Sequence, residues 1–183
     1  MTHELSESEL FEALHYAKSI DEETGAQIIG QFQLEQTALA EIMFGMFPTF
    51  IAEQNQEMSY LFMDLCFDVL CVFQKAFGSL PSQNDMNFDW LEKQATLLAP
   101  EFKSLVKEQH MDEQIRSKLQ DRFIQRSSEE TVQRDLVNFM NAAIDDFALE
   151  DASRAPATKI TQTMISIVIR LFSNLYNNAN KTS

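Results

Sequence analysis

Apolar residues recur along most of this chain at spacings of three and four, the period of a helix with one buried face. In "SESELFEALHYAKSI", Ser6 is followed three residues on by Glu9, a pair that caps a helix start reciprocally. Leu10, Phe11, Leu14 and Ala17 then supply an apolar stripe. Ser19 and Glu22 repeat the box and predict the start of a second helix. There Ile28, Phe32, Leu39, Met43 and Met46 share a face, away from Gln27, Gln31 and Glu41. Gly25 and Gly30 weaken its first turns, and Pro48, with no N–H to donate, stops or kinks it.

A third helix is expected over about 49–77, followed by a loop at "GSLPSQNDMN", residues 78–87. "FDWLEKQATLLA" reads as a short helix ended by Pro100, and residues 101–126 as helical with a break near His110 to Asp112. A third box, Ser127 and Glu130, precedes the cleanest stripe in the chain: Val132, Leu136, Phe139, Met140, Ala143 and Phe147. "EDASRAPA" is a turn, with Pro156 suited to the first turn of the last helix. That helix carries Ile160, Met164, Ile167, Val168, Leu171 and Leu175 on one side. Its "MISIVIRLF" is β-branched enough for a strand, but a lone strand has nothing to pair with, so a helix is expected.

Composition supports that reading. Glycine and proline number only four each, so tight turns are few and the elements are long. The expected fold is all-α: one domain, residues 1–178, built as a bundle of six or seven mostly antiparallel helices. Helix 49–77 is central and the tail 179–183 is frayed. Fifteen phenylalanines and nine methionines fill the core of such a bundle, or line a groove or cavity for an apolar ligand or partner helix.

The net charge of −14 is unevenly placed. Residues 1–80 hold thirteen acids against Lys18 and Lys75, a net of −11, whereas residues 81–183 hold fifteen acids against twelve bases, a net of −3. Such a chain repels nucleic acid and anionic lipid, so neither is an expected partner. A basic protein surface, a cation, or the more basic second half of the same chain fits better. The first residues lack the basic and apolar regions of a secretory leader, and no apolar run is long enough to span a membrane. Cys66 and Cys71 point about 140° apart on one helix and cannot pair there, so a reducing, cytoplasmic setting is expected.

Helix 49–77 raises the chemical question. Phe62, Leu65, Cys66, Phe67, Val69, Leu70, Val72 and Phe73 wrap most of it, and a helix so apolar is covered on several sides, by the bundle or by a homodimer partner. Its charges nevertheless fall in one line: Glu57, Asp64, Asp68 and Lys75 lie within about 40° of one another, with Glu53 beside them. The line is read foremost as the helix's solvated edge. It is read next as a polar seam against bases such as Arg116, Lys118, Arg122 and Arg126, and last as a divalent-metal site. In that last reading Glu57, Asp64 and Asp68 are the metal ligands, and Glu35 a further one.

Other motifs are partial. Glu12 and His15 have the Glu-x-x-His spacing of di-iron carboxylate bundles, without the second such pair those sites need. "DLCFDVLCVF", residues 64–73, resembles the second metal-binding helix of the all-α nucleoside triphosphate pyrophosphohydrolases, which hold magnesium between Glu-x-x-Glu and a later Glu-x-x-Asp. The resemblance covers about ten residues. It departs in spacing, since Leu65 stands three before Asp68 and Asp64 four before it; a Glu-x-x-Glu occurs upstream as Glu9 and Glu12. It implies a magnesium-dependent hydrolase of nucleotides or phosphoesters. No phosphate-cradling glycine loop, nucleophile elbow or zinc pattern occurs. The expected function is therefore a cytoplasmic protein-interaction or regulatory module without catalysis, cofactor or metal. The alternatives are the magnesium-dependent hydrolase and a carrier of an apolar ligand.

Overall fold

The computed structural model describes residues 2–81 and 133–179, with side chains described through 177. Its helices are α1 (Glu7–Ser19), α2 (Glu22–Glu35), α3 (Thr37–Glu41), α4 (Phe47–Ala52), α5 (Gln56–Phe77), α6 (Arg134–Leu149) and α7 (Thr158–Ala179). A π-helical turn, Ile42–Met46, joins α3 to α4, and a 3₁₀ segment, Ala152–Ala157, leads into α7. The described residues contain no strand, and the fold is all-α.

Local chemistry sets the helix starts. Ser6 caps α1 as expected: its hydroxyl accepts from the Glu9 N–H, and the Glu9 carboxylate accepts from the Ser6 N–H at 2.8 Å. The second box is corrected. Asp21, not Ser19, caps α2 by accepting from the Thr24 N–H at 2.7 Å, while the Ser19 hydroxyl closes α1 on the Tyr16 carbonyl. The predicted helix 49–77 divides at residues 53–55, where the Asn55 side chain accepts from the Met58 N–H and starts α5. Asn55 is a strong N-cap, and its side chain satisfies one of the N–H groups that the break leaves without an intrahelical partner. Gly78, at φ 85°, ends α5 in the left-handed region where only glycine is unstrained.

Pro48 kinks rather than stops the chain. The π turn precedes it, with the Phe47 N–H reaching back to the Ile42 carbonyl, and the Thr49 hydroxyl satisfies the Gly45 carbonyl at 2.8 Å. The extra residue in that turn shifts the helical phase, so Phe32, Leu39 and Met43 are buried as predicted while Met46 faces outward. A second, unpredicted kink lies at Gln36, whose buried amide donates to the Pro81 carbonyl.

Successive rods alternate in direction. α5 packs on α1, α4, α6, α7 and the 3₁₀ segment, which makes it the hub. Lys18 meets Asp68 while His3 meets Phe77, so α1 runs against α5. Gln162 bonds to Asn141 and Asp145 and Arg154 to Phe147, so α6 runs against α7. α5 and α7 are consequently parallel: Glu57 faces Arg154 at one end and Phe73 faces Phe172 toward the other.

Phenylalanine supplies the contact between them. Phe73 stacks on Phe172 at 5.2 Å and on Tyr176 at 5.8 Å, and Phe172 stacks on Phe32 of α2 at 5.9 Å. The column extends to Phe44 at one end and through Phe77 to His3 at the other. α7 is buried around most of its girth, not on one side, and its hydroxyls are absorbed internally. Thr161, Ser166 and Ser173 each donate to the carbonyl four residues back. That internal bonding lets a serine- and threonine-bearing helix enter the core. α6 buries Leu136, Val137, Met140 and Ile144, which leaves Phe139 of the predicted stripe exposed.

The N-terminal segment is tied to the C-terminal helices. Thr2 donates to the Asn177 side chain, the Leu5 N–H to Gln133 Oε1, and Gln133 Nε2 to the His3 carbonyl, while Leu5 is buried. Residues 82–87 of the predicted loop, the predicted helices over 88–126, the box at Ser127 and Glu130, and residues 180–183 of the predicted frayed tail 179–183 lie outside the described residues, while Ala179 belongs to α7. Truncating Phe73 removes contacts to both Phe172 and Tyr176, so Phe73→Ala is expected to cost about 3–5 kcal/mol of stability in urea titration.

Candidate functional site

The acid line of the central helix does not act as one feature. Glu53 falls in the turn before α5 and leaves the line altogether. Glu57 is exposed at the rim and receives the Arg154 guanidinium at 2.7 Å. Arg154 also bonds to Glu150 and the Phe147 carbonyl and stacks on the Phe147 ring at 3.7 Å, which clamps the 3₁₀ segment to α5. Asp64 is solvent-exposed. Asp68 is not: only 3% of it is accessible, and the Lys18 ammonium of α1 sits 2.6 Å away.

The solvated-edge reading thus holds for Asp64 and fails at Asp68, where a polar seam forms. The seam's cation comes from α1. Arg116, Lys118, Arg122 and Arg126 lie outside the described residues. α1 approaches α5 closely enough to bury Asp68 because it presents Leu10, Ala13 and Ala17, two of them without bulk beyond Cβ. Lys18 then spans from the edge of that contact, its own side chain 64% exposed.

Burial raises the Asp68 carboxyl above its ordinary value; the Lys18 hydrogen bond and charge draw it part of the way back, and Asp64 adds to the rise. Burial likewise pushes Cys66 well up and Cys71 to about 12, so both thiols stay protonated and unreactive at neutral pH. Glu9 is held at about 2 by the hydrogen bonds from Ser6 and by His3, the signature of a cap.

The proposed metal ligands are not brought around one point. Glu57 and Asp68 are separated by roughly 16 Å of helix rise, and each already has a basic partner. Asp64 stands one turn from Asp68. Glu9 and Glu12, the other half of the pyrophosphohydrolase-like pattern, lie on the half of α1 that approaches the far end of α5. Glu35 is hydrogen-bonded by Gln31 on α2. Among the described residues no group of three or more His, Cys, Asp and Glu side chains is placed to hold a metal ion.

A surface feature emerges instead at the α1–α5 contact. Phe11, which helical spacing alone assigns to the buried stripe, points outward and is 69% exposed, because Ala13 and Leu10 occupy the contact. Phe11, Glu12, His15 and Tyr16 of α1, with Lys75 of α5, line an open groove of about 400 Å³. The Phe11 ring lies 6.2 Å from the His15 ring, and the Lys75 ammonium sits 5.6 Å from the centre of the Tyr16 ring. The sequence carried a signal for this: Leu10, Ala13 and Ala17 form a stripe of their own, and Phe11 stands roughly 100° or more from each of them.

Known protein families, curated proteins and solved structures yield no match to this chain.

The raised Asp68 value has a defined consequence. A carboxyl that binds its proton more tightly in the folded chain than in the unfolded one stabilises the fold increasingly as pH falls through its folded value toward 3.8. Asp68→Asn, which removes the buried charge, is expected to melt no lower than wild type at pH 7, and any advantage shrinks toward pH ~4. Lys18→Met strands the Asp68 carboxylate and is expected to cost about 2 kcal/mol at pH 7, with part of the loss recovered at acid pH as Asp68 takes a proton. Circular-dichroism melts of the three proteins across that pH range check both.

Proposed function

We propose that the protein is a non-catalytic, cytoplasmic protein-interaction or regulatory module whose partner is basic. The observation that carries this reading is the charge left outside the first half of the chain. Of its two lysines, Lys18 is taken up by Asp68 and Lys75 lies over Tyr16, while Glu4, Glu7, Glu12, Glu22, Glu23 and Asp64 are exposed. A predominantly acidic surface attracts a basic partner and speeds its encounter. The perturbed groups support the same reading. Glu9, Asp21 and Asp151 are lowered by capping hydrogen bonds, and Asp68, Cys66 and Cys71 are raised by burial, so each shift has a structural cause. No helix among the described residues is long and apolar enough to cross a membrane.

Calorimetric titration at low salt is expected to show binding of a lysine-rich peptide and none of its glutamate-substituted counterpart, with affinity falling as salt rises. With magnesium and a panel of nucleoside triphosphates and phosphoesters, no turnover is expected. Failure to bind either peptide overturns the reading. So does turnover that Asp64→Asn and Asp68→Asn abolish, which would establish the hydrolase instead.

A further inference from the structure

We infer that the groove between α1 and α5 is the docking site, and that its occupant is a basic amphipathic helix of another protein. This rests on the interaction reading just given and deepens it by assigning the surface and the shape of the partner. Phe11 and Tyr16 are large aromatic side chains held at 69% and 37% exposure on a helix whose opposite face is fixed against the core. Aromatic anchors of this kind dominate binding energy where a partner covers them. Neither ring is needed to hold α1 in place, since Leu10, Ala13, Ala17 and the Lys18–Asp68 pair do that.

The surroundings select the occupant. Glu12 lines the groove and Glu4 and Glu7 stand exposed on and before α1, three acids against Lys75, which lies against Tyr16. A second copy of this chain brings the same acids and is repelled, and anionic lipid and nucleic acid are disfavoured for the same reason. A protein segment carrying lysine or arginine is complementary. The described residues contain no strand, so no sheet edge is on offer there for strand addition, and a helix laid along the groove can set one apolar face on Phe11 and Tyr16 while its basic face meets the glutamates. In that pose an apolar side chain of the partner enters between Phe11 and Tyr16, beside His15, and its basic residues reach Glu7 and Glu12. The groove is open to solvent, which fits an anchoring side chain of a larger partner better than a small ligand that needs a pocket enclosing most of it.

The test uses the full chain and a fluorescent, roughly 18-residue lysine–leucine helix, about five turns, with a scrambled peptide of the same composition as control. Wild type is expected to bind the amphipathic peptide at least about tenfold more tightly than the scrambled one. Phe11→Ala and Tyr16→Ala are each expected to weaken binding about tenfold. Glu7→Lys with Glu12→Lys is expected to abolish most of the salt dependence. Leu149→Ala, at a still more exposed apolar position on α6, leaves binding unchanged. Since Phe11 is mostly solvent-exposed, its variant keeps the wild-type melting temperature, which separates lost binding from lost fold.

Undiminished binding in Phe11→Ala and Tyr16→Ala, or equal binding of the two peptides, overturns the site while leaving a basic partner in place. Absence of any binding by wild type overturns the underlying reading as well. A wild-type dimer in sedimentation that Phe11→Ala dissociates assigns the face to self-association and overturns the inference.

Discussion

The stack of Phe73 on Phe172 and Tyr176 is the contact on which the remaining architecture depends. It joins α5 to α7, elements a hundred residues apart in the chain, and holds them parallel. Parallel neighbours require a return between them, and α6 provides it, starting beside His3 and Leu5 and ending beside Arg154. Flat rings suit this position because they bury much area for few rotatable bonds and stack at a defined separation. The same column reaches α2 through Phe32 and the N-terminal segment through Phe77 and His3, so one mode of packing connects both ends of the chain.

Around this column, charge is placed by exposure. Where α1 meets α5, small residues bring the backbones close, and the one carboxylate caught in the contact is matched by a lysine that reaches in from the edge. Buried pairs of this kind contribute little net stability but penalise any arrangement that leaves one partner alone, which favours a single register for α1. Fixing α1 in that register has a second effect. With Leu10, Ala13 and Ala17 inward, Phe11 and Tyr16 are forced outward among glutamates. The internal salt bridge and the external aromatic face are thus two sides of one helix.

Much of this was legible in the residues. The capping box at Ser6 and Glu9, the stop at Gly78, the helical nature of "MISIVIRLF" and the hub role of the aspartate helix all follow from local chemistry or periodicity. The misreadings share a cause. Ser19 and Asp21 both offer plausible caps two residues apart, and only the backbone path decides which oxygen faces the free N–H groups. Asn55 looks like any polar residue inside a helix until its side chain is seen to cap one. Met46 and Phe139 lost their predicted burial through the π turn and through the choice of packed face on α6, neither of which a constant 100° step can represent.

By itself the amino-acid sequence determined the class of fold, the placement of most helices, the lopsided charge and the alignment of Glu57, Asp64, Asp68 and Lys75. These depend on neighbours within a few turns. Only the tertiary structure decided what those groups do. Asp64 and Asp68 lie one turn apart with similar local surroundings, yet one is in water and the other is sealed beneath α1 against Lys18. Solvation and partner choice are set by which helix lies above a side chain, and that is a long-range property no local pattern contains.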